Sequence, residues 1–380
     1  MTPISTSYDV IVVGAGSMGM SAGYYLARQG VKTLLLDAFD PPHTSGSHHG
    51  ETRLMRHAYA GNPTYTAMAL RSDELWSELE SVTGETLLVR SGVLNLGSAE
   101  ASGLKSKWER TKEHGLSVDY LTAKEIRFRW KGIRLPDSYI GLYERQAGFL
   151  LSEACVGAFR KQAAAHGAVI LPHSPVVRIE AAPSHVAVHT PTAKFTAERI
   201  IVSLGAWFGF LDGFSQLPIR PVRKAVGWFE ADETLFDHAE FPGFTFEWEG
   251  RGYYGFPGLK GSGVKIGRHD AGQPWQPGKA FEPFGTYPED EQDLRQALEQ
   301  FMPRASGRLL RGAVCKYEMT PDEDFIIDTY PEHDRIWLAG GFSGHGFKFS
   351  SVVGEILSDL IVKGSTSQDI SPFSLSRFTL

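Results

Sequence analysis

Asp9-Val-Ile-Val-Val13, Gly14-Ala-Gly16-Ser-Met-Gly19, Met20–Gln29 and Lys32-Thr-Leu-Leu-Leu36 with Asp37 form the stretch from which the fold is read. The first segment is a β-branched run with too few polar breaks for a half-exposed strand, which suits a central parallel strand covered on both faces. It enters a G-x-G-x-x-G loop, and a helix follows from Met20 to Gln29, closed by Gly30. Gly14 allows the tight turn, Gly16 lets the backbone approach a pyrophosphate, and Gly19 lets the helix pack closely on the strand. The helix amino end then offers free N–H groups and partial positive charge to an anion. Asp37 falls 18 positions after Gly19, where a ribose-binding carboxylate belongs. Strand, helix, strand and acid in register predict a Rossmann-type dinucleotide-binding unit. An acid at 37 with no nearby arginine disfavours NADP; the motif alone leaves FAD and NAD open.

Further along, two segments read as returns to that unit. Arg199-Ile-Ile-Val-Ser-Leu-Gly-Ala-Trp207 is a buried strand ending in glycine. Arg335 to Gly346 is a strand running into a glycine-rich loop, with a helix from about Ser350 to Ile361 after it. Helical spacing marks Met68, Leu75, Trp76 and Leu79, then Ser152 (as a cap) to His166, and Leu294, Ala297, Leu298 and Phe301 before Pro303. Between about Pro218 and Met319 short strand-like patches alternate with Pro and Gly turns, which predicts an antiparallel sheet. The fold class is therefore α/β (α+β in two domains). Its Rossmann-type unit is discontinuous, over 1–87, 151–217 and 320–380, with a sheet-rich substrate unit over 88–150 and 218–319.

Composition narrows the function. With 380 residues the chain is long enough for two domains and a large core. Lys+Arg number 38 against Asp+Glu 44, with no block of like charge, which argues against nucleic acid as a partner. The two cysteines, Cys155 and Cys315, read as thiols in a reducing compartment. Met1 to Tyr8 lacks the basic and apolar regions of a secretory signal, and no apolar run reaches the roughly 18 residues of a membrane span. A cytoplasmic location is the expectation.

Four polar clusters are candidates for chemistry. In His48-His49-Gly-Glu-Thr52-Arg53-Leu-Met-Arg56-His57, Arg53 and Arg56 would share a face if helical, and two guanidinium forks can hold a carboxylate. A solvated basic turn is the plain alternative. The adjacent histidines diverge and have no partner set at ligand spacing, so no metal is expected. Lys265, in Gly263-Val-Lys-Ile-Gly267, faces opposite to Val264 and Ile266; a strand lysine is ordinarily a solvent-side charge, and His269 lies just beyond. Cys315, with Tyr317 nearby, could be no more than a small buried apolar residue. Phe342-Ser-Gly-His345-Gly-Phe-Lys348-Phe is unusual for a surface loop. Asp322 to Asp328 reads as a turn leading into a strand.

These clusters together resemble the monomeric sarcosine oxidase and N-methyltryptophan oxidase group of flavin-dependent amine oxidases. The resemblance runs from Tyr8 to about Phe378. It rests on Val12–Gly19, Gly46-Ser-His-His-Gly50 with Thr52-Arg53 and Arg56-His57, Tyr254-Gly-Phe-Pro257, Lys265, Arg311–Cys315 and Gly341–Phe349. It implies FAD, thioether-linked to Cys315, in a monomeric enzyme that releases hydrogen peroxide. It places Arg53 and Lys265 at the flavin ring, and Arg56 and Lys348 on a substrate carboxylate. Tyr254, His269, Tyr317, Thr245 and the Gly344 carbonyl would frame the amine. His49, Thr52, His345 and Gly346 would contact the flavin, alongside Gly14, Gly16, Gly19 and Asp37. Sarcosine and O₂ are the substrates it favours. Val13–Met20, Asp37–Thr44, Lys112–Asp119 and Tyr287–Glu291 lean to the sarcosine branch; Arg90–Gly97, Asp322–Thr329 and Ser376–Phe378 lean to N-methyltryptophan. The surroundings of Thr245 and Trp248 match neither, and cyclic amines such as pipecolate stay open. A non-catalytic dinucleotide-binding protein and an NAD-dependent imine reductase or dehydrogenase are the rivals.

Overall fold

The computed structural model describes residues 5–60, 62–331 and 333–379, and the backbone but not the side chain of Ser102. Residues 1–4, part of the amino-terminal stretch read above, lie outside them. β1 (Ser7–Val13) leads into α1 (Ser17–Arg28) and β2 (Thr33–Leu36). β1 pairs in parallel with β2 on one side and with Lys194–Val202 on the other. Beyond them lie Val169–Leu171 and His333–Gly340, also parallel to their neighbours. Burial follows the alternation of the strand. Val10 and Val12 enter one apolar cluster with α1 and Ser350–Lys363, while Ile11 and Val13 enter another on the opposite face. The Arg178–Ala181 and Val186–His189 hairpin and the strand Ile326–Tyr330 extend this sheet by antiparallel pairing, to eight strands among the described residues.

The second sheet has nine strands among the described residues. Arg220–Phe229 sits between Val264–Arg268 and the long strand Leu309–Met319. The sheet departs from the all-antiparallel expectation at one pair. Val93–Ser98 enters from a segment distant in the chain and runs parallel to Gly243–Trp248, because no hairpin joins the two. A third, small sheet holds β3 (Thr52–Met55) against Gly148–Leu151.

Three local expectations change. α1 begins at Ser17, three residues before the expected start, with Gly16 as its cap, because the loop glycines leave the helix free to begin there. Ser152 is the first residue of its helix rather than its cap, and its hydroxyl donates to Glu153. Glu153 in turn accepts from the N–H groups of Gly50 and Glu51, which ties this helix to the loop before β3. Residues 52–55 form a strand, so Arg53 and Arg56 share no helical face. Asp322–Asp328 resolves as read, a turn into Ile326–Tyr330. Its acids pair with Arg377, Tyr65 and Ser374. No helix of the described residues is long and apolar enough to cross a membrane.

Candidate active site

A single cavity of about 510 Å³ runs from the glycine loop at the end of β1 to the second sheet. At the first end, Gly14 has φ +90°, and a Cβ there would lie 2.5 Å from the Ser203 carbonyl oxygen. A Cβ on Gly19 would lie 1.9 Å from the Gly14 oxygen, whereas one on Gly16 would meet only the His48 ring at 3.5 Å. Gly14 and Gly16 line the cavity; Gly19 lies behind it and acts by close packing. Asp37 accepts from the N–H of Ala15 at 2.8 Å and of Phe39 at 2.8 Å, so the carboxylate locks the loop while bordering the cavity. Gly19→Ala is therefore expected to destabilise the flavin-free chain by about 1–3 kcal/mol through overpacking. Gly16→Ala should leave its unfolding midpoint nearly unchanged and lower only flavin incorporation. Thermal unfolding of the two variants in a Cys315→Ala background, from which a bound cofactor can be removed, separates the two effects.

The strand Val264–Arg268 positions Lys265. Val264 and Ile266 are buried in the core of the second sheet, and Lys265 points the other way. That direction is not solvent: the side chain is 3% exposed and lies beneath the loop before β3. Its Nζ donates to the Gly50 carbonyl at 2.5 Å and to the carbonyl and hydroxyl of Thr52, each at 3.2 Å. Burial, then the Arg53 charge, pushes its pKa well below that of an ordinary lysine. Thr52 does not line the large cavity. It borders a second one of about 340 Å³ on the far side of Lys265. Arg53 donates to the carbonyls of Ser47 at 2.8 Å and His49 at 2.6 Å, which fixes the guanidinium at the cavity wall.

At the opposite end Lys348 sits on a short turn, Phe347–Phe349, 5% exposed. Its Nζ donates to the Tyr59 hydroxyl and the His345 carbonyl, both at 2.7 Å. Arg56 lies over the Tyr59 ring, 4.9 Å from its centre, with no ion pair or hydrogen bond among the described residues. The Lys348 Nζ lies over the same ring, 5.4 Å from its centre, and burial with the Arg56 charge lowers its pKa well below that of an ordinary lysine. Glu144, 2% exposed, accepts from the N–H groups of His57 and Ala58 and so anchors the segment that carries Arg56 and Tyr59.

Between these ends lies Cys315, 7% exposed, its thiol pKa raised by burial against the pull of Arg53 and Lys265. Tyr254 and Tyr317 meet through their hydroxyls at 3.3 Å. Burial pushes Tyr254 up to about 12, so both stay neutral donors. The His269 ring lies 5.7 Å from that of Tyr317, and burial with the charges of Lys224, Arg56 and Lys348 lowers its pKa to about 4. Thr245 donates to Asn95 at 2.9 Å, and Asn95 donates to Glu144. Gly344 (φ +75°) leaves room only for the Tyr317 ring, and Gly346 packs on Phe342. His49 and His345 are both held neutral by burial, and each keeps one buried ring nitrogen without a partner among the described residues.

Of the residues given a cofactor, substrate or catalytic role from the sequence, the large cavity gathers all but Gly19 and Thr52; His57 and Cys155 also lie outside it. It also gathers residues that the sequence reading missed. Lys107, Lys316 and Glu318 line it, and Asn95 and Glu144 stand behind it. Burial raises Glu318 to about 8, leaving it largely protonated at neutral pH. With that acid neutral, Arg53, Arg56 and four lysines whose ammonium form burial destabilises, Lys107, Lys265, Lys316 and Lys348, outnumber Asp37 and Glu247, and an anion bound among them would restore the lysines' charge. The free N–H end of α1, the open side of Gly16 and the unpartnered nitrogens of His49 and His345 fit a long polar dinucleotide laid through this space.

Comparison with known proteins agrees. Residues 9–360 match the model of the FAD dependent oxidoreductase family. The chain is 50% identical to monomeric sarcosine oxidase of Bacillus sp. (strain B-0618), over 98% of this chain and 97% of that one. It is 42% identical to N-methyl-L-tryptophan oxidase of Salmonella arizonae, over 98% and 99%. Among solved structures, L-proline dehydrogenase from P. horikoshii superposes with a TM-score of 0.87 at 20% identity, covering 99% of this chain and 98% of that one. NikD, an amino acid oxidase of nikkomycin biosynthesis, superposes with 0.85 at 22%, covering 97% and 98%. These two bear on the fold alone.

Proposed function

The chain belongs to the FAD dependent oxidoreductase family, and from that premise we propose that it oxidises sarcosine (N-methylglycine). With O₂ and water the products would be glycine, formaldehyde and hydrogen peroxide. The observation that carries this reading is the meeting, in one cavity, of the dinucleotide loop, Cys315, Lys265 and the Arg56–Lys348 pair. A non-catalytic dinucleotide-binding protein has no use for that combination. Sarcosine is favoured over N-methyl-L-tryptophan by 50% against 42% identity to the respective oxidases. On this reading the FAD-binding unit comprises 1–87, 151–217 and 320–380, and the substrate unit 88–150 and 218–319. The enzyme would act as a cytoplasmic monomer.

FAD supplies the two-electron chemistry, accepting from the amine and giving to dioxygen. The protein binds, orients and stabilises charge. Arg56 and Lys348 would hold the carboxylate, fixing the oxidisable carbon within the pocket, where misplacement is costly in rate. The Gly344 carbonyl accepts from the amine, while Tyr254, Tyr317 and Thr245 frame it. His269 is too weak a base at about 4 to take an ammonium proton readily; it serves as a neutral ring that orients the free amine. Lys265 and Arg53 would place positive charge at the cofactor ring, where Lys265 faces the dioxygen step. His49, His345 and Gly346 would complete the cofactor surroundings, whereas Thr52, expected there from the sequence, lies outside that cavity and holds Lys265 in place.

Peroxide release measured side by side with sarcosine, N-methyl-L-tryptophan and L-pipecolate tests the function. Sarcosine should give the highest kcat/KM, and silence with all three overturns the proposal. Cys315 would carry the flavin through a thioether. Unmutated protein precipitated in acid should then remain yellow, while Cys315→Ala should surrender its flavin to the supernatant. Flavin washing out of the unmutated protein contradicts the covalent link.

A further inference from the structure

Lys107 has no place in the chemistry described so far. It lies on the helix Ser102–Glu113, whose other charged side chains are exposed or paired at the surface, as in Arg110–Glu113. Leu104 and Lys107 stand one turn apart and both line the large cavity, and Thr111, buried on the same face, closes that side. Lys107 makes no hydrogen bond or ion pair among the described residues. Burial and the nearby Arg56 charge lower its pKa to about 8, against the pull of Glu144 and Glu247. Neither acid satisfies it. Glu144 is already taken by Asn95, His57 and Ala58, and Glu247 is exposed at the rim.

Lys107 is only partly buried, yet an ammonium in a cavity wall with no acceptor is under-solvated, and a ligand that provides one gains accordingly. A single substrate carboxylate has two oxygens, which Arg56 and Lys348 occupy on the reading above. Lys107, near enough to Arg56 to feel its charge, is then left over in the same cavity. We propose that the site also takes N-methyl amino acids bearing a second, side-chain carboxylate, with Lys107 as the residue that selects it. This inference rests on the amine oxidase reading and names a further substrate class for the same site.

The test compares kcat/KM of the flavin-loaded enzyme for N-methylglutamate and its neutral isostere N-methylglutamine, each as both enantiomers, with sarcosine alongside. One added charge-assisted contact predicts a preference for the diacid of about tenfold or more. The preference should fall to about one in Lys107→Met and return in Lys107→Arg. A ratio near one in the unmutated enzyme, or one indifferent to Lys107→Met, overturns the inference. Titration of the bound flavin's absorbance with succinate and propionate gives a second readout, in which succinate should bind about tenfold more tightly. If no amine, sarcosine included, is oxidised, the oxidase reading itself fails. The titration then decides alone, and equal affinities would dismiss the role of Lys107.

Discussion

Lys265→Met is expected to slow the half-reaction with dioxygen about 100- to 1,000-fold while changing the half-reaction with the amine only a few-fold. The expectation follows from how the ammonium is held. Val264 and Ile266 fix the strand in the core, and the Gly50 carbonyl with both oxygens of Thr52 fixes the Nζ. Such a charge pays no reorganisation when negative charge develops on oxygen. Methionine keeps the length and loses the charge and all three donors. Substrate carboxylate binding should be untouched, because on the proposed reading Arg56 and Lys348 carry it. Rapid mixing separates the two half-reactions, and equal rates in the mutant and the unmutated enzyme would remove Lys265 from the oxygen step. The pH dependence has a definite sign. Burial lowers the pKa of Lys265, so its charge is lost earlier than that of an exposed lysine as pH rises. The oxygen step should accordingly weaken toward alkaline pH.

The Rossmann-type unit was legible because its information is local. The loop glycines, the β-branched run and Asp37 each act on neighbours a few residues away or on the adjacent strand, and each appears where the spacing puts it. The site was less so. Period-two alternation turns Lys265 away from the core of its own sheet, but only the loop before β3, some 210 residues earlier in the chain, makes that direction buried. Arg53 and Arg56 read equally as a helical pair or a basic turn. Pairing with Gly148–Leu151 makes 52–55 a strand, a long-range preference that no local pattern announces. The resemblance to a known family supplied these roles, not the spacing. Lys107, Asn95 and Glu144 carry no signal in sequence at all. A lysine in a highly charged helix looks like a solvated one until the opposite wall of the cavity is in place.

Arg56→Ala and Lys348→Met are each expected to raise KM for sarcosine about 100-fold, with kcat reduced less. Truncating one partner of a desolvated, hydrogen-bonded charge pair costs about 2–5 kcal/mol, which is roughly 30- to several-thousand-fold. The two losses should differ in kind. Arg56 rests on the Tyr59 ring and meets no acceptor among the described residues, so removing it strands only the incoming carboxylate. Lys348 also donates through its Nζ to the Tyr59 hydroxyl and the His345 carbonyl. Its loss leaves buried polar groups unpaired, and the unfolding midpoint should fall as well. With both side chains proposed to grip one carboxylate, the double mutant should fall short of the summed effects of the single ones. Saturation curves for sarcosine in the three variants, together with their thermal unfolding, decide it: a KM unchanged by Arg56→Ala would mean that the carboxylate is bound elsewhere.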